Sequence, residues 1–413
     1  MPEPLLPVVR AKARFTSVIL EHPLVIAGAA IDRVTMALVD VLVRDSAGNT
    51  TRGRGASMLS VPWAWPSSLS FEARDRRMRE LVETSARLVV GSDAADPFAA
   101  WETLRRRAAV LPEAEGIPQV ALLLCIAAAD SSLHDGGAAA QGLSALDFAS
   151  RQSPLLGSIA DAEAFAAKHH RTRVPVQRVV GLSDGIGDED ALCRDIQEHG
   201  IRHLKIKLAG EAESDAARVT AIHDRFGSLG LTFALDANEG YRRPEEFHLL
   251  LDTLRSREEL WRSIRYVEQP APRTVHDIRP WHPDRIPADL LPPLVLDEGH
   301  VDVDQLRGAG ERGWSGVAIK ASKGQSFAIL SFLHARAAGL FTVLQDLTTV
   351  DLALEHSAGL AAALPFTYRA FECNSLQYAP GANDRLRRRR PDMLRLQDGS
   401  VAVGPTPLRG LYV

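Results

Sequence analysis

Five charged residues punctuate the second half of the chain. Lys207, Asp236, Glu268, Asp297 and Lys320 follow one another at intervals of 23 to 32 residues, and Lys205 stands two places before Lys207. Each closes a short apolar run: LKIK ends at 207, ALD at 236, YVE at 268, LVLD at 297 and VAIK at 320. Three carboxylates with no Cys or His among them are oxygen donors that suit a hard divalent cation, Mg2+ or Mn2+. A lysine at either end of the series can accept or donate a proton once burial and nearby positive charge lower its pKa, and Lys205 beside Lys207 supplies such charge. The set suits removal of the proton α to a carboxylate, because a bound cation can hold the carboxylate and stabilise the enediolate charge as it develops.

A repeat of this length is one strand plus one helix. Eight apolar runs divide the second half: Val174–Leu182, Ile201–Leu208, Leu231–Asp236, Ile264–Glu268, Leu294–Asp297, Gly316–Lys320, Phe341–Gln345 and Phe366–Glu372. Segments between them carry helix period; in Glu245–Trp261, Phe247, Leu250, Leu251 and Leu254 share one face. Alternation of this kind predicts parallel βαβ units, and eight of them predict a closed α/β barrel. The charged residues then all lie at the C-terminal ends of the strands, where such barrels carry their active sites. Side chains alternate along a strand, so Lys205 and Lys207 point to the same side, and the acids of three consecutive strands converge. Lys207 and Lys320 flank the acids and face each other across the mouth.

The first third reads as α+β. Arg33–Arg44 predicts a strand, Ser46 to Asn49 a hairpin turn and Thr51–Met58 the returning strand. Helices are predicted over Phe71–Leu88 and Gln119–Leu133, the latter just after Pro118. At the other end, the basic run Arg385–Arg390 reads as a solvated face. Ser400–Val403 and Leu408–Val413 are expected to be strands returning to the first domain.

Composition excludes whole classes. With 24% charged and 46% hydrophobic residues the chain is neither disordered nor fibrous, and a net charge of −4 gives no pull toward nucleic acid or an anionic membrane. Cys125, Cys193 and Cys373 are too few and too far apart for a disulfide framework. The apolar stretch Val120–Ala129 is too short to span a bilayer. Met1 to Pro4 lacks the basic start of a secretion signal, so a cytoplasmic protein is expected.

Three other motifs compete. Gly308-x-Gly310-x-x-Gly313 has dinucleotide spacing but precedes a strand, which removes the phosphate cradle. Gly181-x-Ser183-x-Gly185 follows a strand like a hydrolase nucleophile elbow, yet Gly185-Ile186-Gly187 continues as a loop where the elbow needs a helix. A serine hydrolase would also leave the lysines and carboxylates unused. His169-His170 has no third ligand at zinc spacing.

The stretches LKIKLAG (204–210), ALDANEGY (234–241), YVEQPAP (266–272), LVLDEGH (294–300) and VAIKASKG (317–324) resemble the enolase superfamily, specifically its muconate-lactonizing-enzyme subgroup, which includes dipeptide epimerases and succinylbenzoate synthases. The resemblance implies an α/β fold, a (β/α)7β modified TIM barrel with an α+β N-terminal capping domain. Residues 1–140 would form the cap, 141–380 the barrel and 381–413 a segment returning to the cap. It implies Asp236, Glu268 and Asp297 as Mg2+ ligands, Lys207 and Lys320 as the acid/base pair and Lys205 as their electrostatic partner. Asn238, Glu298, Glu372 and Asn374 would bind substrate or support these groups.

Departures from the family pattern narrow the substrate. Gly324 is followed by Gln325 where a second glycine is usual, and Glu372-x-Asn374 replaces the paired Asp of dipeptide epimerases. Gln345-Asp346 offers no His, unlike the mandelate-racemase subgroup. The expectation is a Mg2+-dependent isomerase, a racemase, epimerase or cycloisomerase, acting on a small-molecule carboxylate. Its alternative is a lyase performing β-elimination or dehydration; a non-catalytic metal-binding relative would need neither flanking lysine. A homo-oligomer is expected, with no nucleic acid or membrane partner. Specificity is expected from Phe15–Ala30, from Gly53–Trp65, with Met58, Leu59, Trp63 and Trp65 as apolar lid contacts, and from the neighbourhood of Glu372.

Overall fold

Two sheets organise the protein. The computed structural model describes residues 5–26, 29–151, 171–393, 395–403 and 409–412. His169-His170 lies outside the described residues.

Strands β1 (Val8–Ile26), β2 (Ala29–Arg44) and β3 (Thr50–Leu59) form an antiparallel sheet in that order. β2, the turn and β3 follow the sequence expectation. Gly48 takes φ +86°, and the Asp45 carboxylate accepts the amides of Ala47 and Asn49 to close the turn. β1 was not foreseen. It is an edge strand, paired with β2 among the described strands, and most of its side chains are exposed or half-exposed, so its sequence carries little apolar signal.

The helix Phe71–Leu88 has the predicted bounds and is capped by the Ser70 hydroxyl, which accepts the Ala73 amide. The helix Gln119–Ala140 runs beyond the predicted Leu133, and every residue from Val120 to Ala138 is buried. Gly55 lets it lie directly on β3: a Cβ there would stand 1.9 Å from the Ala128 carbonyl oxygen.

Eight parallel strands form the barrel: β4 (Arg173–Val180), β5 (His203–Lys207), β6 (Thr232–Asp236), β7 (Ile264–Glu268), β8 (Leu294–Leu296), β9 (Gly316–Lys320), β10 (Phe341–Gln345) and β11 (Phe371–Glu372). β11 pairs with β4, and Tyr368 bridges to Val343 of β10, which closes the ring. The predicted helix Glu245–Trp261 breaks into Pro244–Arg255 and Glu258–Ser263, with Arg257 extended at φ −115° between them.

The barrel interior below the mouth is filled by Ala234, Tyr266, Val295, Ala318, Val343, Tyr368 and Ala370. Six of these stand two residues before Asp236, Glu268, Asp297, Lys320, Gln345 and Glu372 respectively. Strand alternation therefore stacks a polar layer on an apolar plug.

The tail differs from expectation. β12 (Leu396–Gln397) and β13 (Ser400–Ala402) form a hairpin, and β13 pairs antiparallel with β4 of the barrel instead of returning to the first domain. Residues 409–412, expected as part of a last strand, form no strand. Gly410 makes one bridge with Ser144, the Leu411 amide donates to Asp135 and the Arg54 guanidinium lies over the Tyr412 ring. In the basic run, Arg389 and Arg390 pair with Glu355, so part of it docks the tail instead of facing solvent. Among the described residues no helix is long and apolar enough to cross a membrane.

Candidate active site

Register sets the site. Lys207 pairs in register with Asp236, and Asp236 with Glu268, so three charged residues from β5, β6 and β7 stand side by side at the C-terminal edge. Asp297 follows β8 directly, Lys320 ends β9 in register with Gln345, and Glu372 ends β11. All of these side chains are buried. Asn238 and Glu298 lie two and one residues past their strand-end acids, and Asn374 two past Glu372.

Lys205 sits among carboxylates. Its ammonium lies 2.6 Å from Glu372, 3.0 Å from Glu268 and 3.3 Å from Asp236. Burial pushes its pKa down, but Glu268, Glu372 and Asp236 outweigh burial and hold it well above the ordinary lysine value. Lys205 is therefore a fixed positive charge. Lys207 donates to Asp236 at 2.6 Å and to the Asn238 side-chain oxygen at 2.9 Å. Across the arc, Lys320 lies 3.0 Å from Asp297 and donates to Gln345 at 3.2 Å. Burial lowers Lys320 and Asp297 raises it, and the net direction is upward. The lowered lysine pKa expected from Lys205 beside Lys207 is thus absent at Lys205 and Lys320, because the carboxylates around each outweigh burial.

The acids respond to the same field. Burial alone would raise Asp236, but Lys207 and Lys205 bring it below the usual carboxylate range. Asp297 is likewise lowered by Lys320 and Lys323 against burial. Glu268 is raised well above its ordinary value by burial and by Asp236.

Supporting contacts fix the rotamers. Asn238 has left-handed backbone (φ 42°), its amide donates to Asp236, and its side-chain NH2 donates to Glu298 at 2.9 Å. Gln345, not foreseen as a site residue, donates to Glu268 and accepts from Lys320. Its place at a strand end was the signal that could have found it. Lys323 donates to the carbonyls of Asp297 and His300, both at 2.9 Å, and burial pushes its pKa down to about 8. Asn374 donates to Glu372 at 2.7 Å, while its own side-chain oxygen is buried with no hydrogen-bond partner.

The capping sheet roofs this layer. A cavity of about 30 Å3 is walled by Lys205, Lys207, Asp236, Asp297, Lys320 and Glu372 below, and by Leu24, Ile26, Ile31 and Trp63 above. Of the four apolar lid contacts expected from the sequence, only Trp63 lines it. Met58 and Leu59 are fully buried in the core, and the Trp65 ring lies against Arg77. Ser183 lies elsewhere, exposed on the loop after β4, and the glycines around 310 form turns before β9.

The donor set fits a hard cation in chemistry. Asp236, Glu268 and Asp297 offer only carboxylate oxygens, and neither oxygen of buried Asp297 accepts a hydrogen bond. Among the described residues no three acidic, His or Cys side chains are gathered closely enough to enclose an ion as they stand, since lysine ammoniums lie between the carboxylates.

The comparisons agree with this architecture. A dipeptide epimerase from Enterococcus faecalis complexed with Mg and L-Leu-L-Tyr superposes with a TM-score of 0.68 at 17% identity, covering 98% of this chain and 99% of that one. A dipeptide epimerase from Methylococcus capsulatus complexed with Mg and L-Arg-D-Lys gives 0.67 at 21% identity, covering 98% and 100%. A muconate lactonizing enzyme from Pseudomonas fluorescens complexed with muconolactone gives 0.66 at 19% identity, covering 98% and 96%. No curated protein matches the sequence. At these identities the structures establish the fold, a capped (β/α)7β barrel. Residues 188–411, more than half of the chain, match the family described as enolase C-terminal domain-like. The chain belongs to the enolase superfamily, among the mandelate racemase/muconate lactonizing enzyme-like proteins.

Proposed function

We propose that this protein is a Mg2+-dependent enzyme that removes the α-proton of a small carboxylate substrate, acting as a racemase or epimerase or as a cycloisomerase. One observation carries the reading: Lys207 and Lys320 wall the same cavity from β5 and β9, with the strands of the three candidate ligands between them. Asp236, Glu268 and Asp297 would hold Mg2+, which supplies positive charge to the substrate carboxylate and to the charge developed as the proton leaves.

The chain's own groups divide the remaining work. Lys205, saturated by three carboxylates, keeps its proton and balances their charge. Lys207 and Lys320 each end in a single ion pair, so each can turn its ammonium or amine toward a substrate α-carbon lying between them. One lysine takes the proton from its face; the other, protonated, returns one to the opposite face. Asn238 and Gln345 hold the two lysines at their separate stations. Where a leaving group departs instead, only one lysine acts as base.

The test is α-proton exchange in D2O over a panel of N-acyl amino acids, dipeptides and muconates with Mg2+ present. Exchange with at least one member, lost on chelation, is expected. No exchange with any member would count against the reading.

A further inference from the structure

Beside the cavity between the lysines lies a second one of about 520 Å3, lined by Pro62, Pro66, Pro118, Arg242, Pro272 and Arg273 among others. Ile26, Trp63 and Asn238 line both cavities and so stand between them. The inner cavity is the smaller of the two, about 30 Å3. Below, it is walled by barrel strand ends and by Asp346, Leu347 and Thr348 of the loop after β10; above, by the capping sheet and the turn of helix that carries Trp63.

Trp63 is held at three points. Its ring N–H donates to Glu298 at 2.9 Å, its carbonyl accepts from Arg273 at 3.2 Å, and its ring covers Lys320 at 5.0 Å and Lys323 at 5.7 Å. Glu298 also accepts from Asn238, whose own oxygen accepts from Lys207. One indole thus touches the Lys320 flank directly and the Lys207 flank through two residues, and it lines both cavities.

We propose that Trp63 is the specificity-determining partition of this site, limiting the substrate to a short carboxylate by separating the lysine chamber from the outer cavity. The proposal rests on the reading that a carboxylate binds between Lys207 and Lys320. Removing the indole joins the two chambers and lets a long chain extend into the outer one. The outer cavity's proline-rich lining would cover methylenes, each adding about fourfold to affinity.

The experiment is calorimetric titration, with Mg2+ present, of N-acylalanines from acetyl to octanoyl into the full chain and its Trp63→Ala and Trp63→Phe variants. Wild type and Trp63→Phe, which keeps a ring over Lys320 but loses the hydrogen bond to Glu298, should bind short acyl chains best and weaken as the chain lengthens. Trp63→Ala should reverse that order, with octanoyl exceeding acetyl by at least about tenfold. Identical rankings in wild type and Trp63→Ala would overturn the proposal, as would failure of every acid to bind Trp63→Ala. Binding is read without turnover, so a chain that binds these acids but exchanges none of their α-protons would fail the functional reading and leave the partition tested.

Discussion

Lys207 and Asp236 lie opposite one another in register on neighbouring strands, and their side chains meet at 2.6 Å at the buried edge of the barrel. The pair joins a candidate base to a candidate metal ligand. Asp236 has two tasks that compete for the same oxygens: it holds Lys207 and Lys205, and it would hold Mg2+.

Amide substitutions of the ligands follow from that competition. Asp236→Asn, Glu268→Gln and Asp297→Asn keep side-chain size and remove one charge each, and each should weaken Mg2+ binding by at least about tenfold. Calorimetry with Mg2+ alone reads this directly. Affinity equal to wild type in all three would misplace the metal site.

Lys205→Met leaves Glu268, Glu372 and Asp236 without the ammonium they share. Loss of one partner from a buried charge cluster costs about 3–5 kcal/mol, so the variant should unfold at markedly lower denaturant concentration. A midpoint unchanged from wild type would show that the cluster is compensated by other means.

The sequence made this layer legible because barrel strands give one position a fixed meaning. Every acid and lysine that ends a predicted strand lies in the buried layer, and Gln345 belongs there by the same rule. What it left hidden has physical causes. β1 is an edge strand whose outer face carries Lys12 and Arg14, so apolar patterning does not mark it. The pairing of β13 with β4 is a long-range choice that no local signal encodes. Trp63 is one of four residues that the sequence marks alike as apolar lid contacts. Only packing separates it from Trp65, whose ring lies against Arg77 instead of a lysine of the site.

Ser183→Ala should leave turnover within a few-fold of wild type. Ser183 is exposed on a loop and lines a groove outside the buried layer. A loss on the order of 10⁴-fold, the scale of a triad nucleophile, would restore the hydrolase alternative.

Stability should carry a pH signature from the contact between the helix Gln119–Ala140 and the barrel. Asp130 accepts the Ser326 hydroxyl at 2.6 Å and amide at 2.8 Å, yet burial pushes its pKa up to about 7. The folded state therefore holds a proton that the unfolded state releases near pH 3.8, and stability from this group falls as pH rises between those values. His134, lowered by burial to about 3, works the other way and costs stability as pH falls below about 6.5. Asp130→Asn removes only the first contribution. Its stability relative to wild type, measured by denaturant titration, should rise from pH 4 to 7. A pH-independent difference would mean that Asp130 is ionised at little cost.

The most direct test of the account is the behaviour of Lys207→Ala and Lys320→Ala on both enantiomers of a confirmed substrate in D2O. Two lysines on opposite faces predict that each variant loses interconversion by about 10²–10⁴-fold. Each should keep α-proton exchange with only one enantiomer, and the enantiomer should differ between the two variants. Mg2+ affinity should persist in both, since neither lysine is a ligand. If both variants interconvert the enantiomers at wild-type rates, the two-lysine mechanism is contradicted.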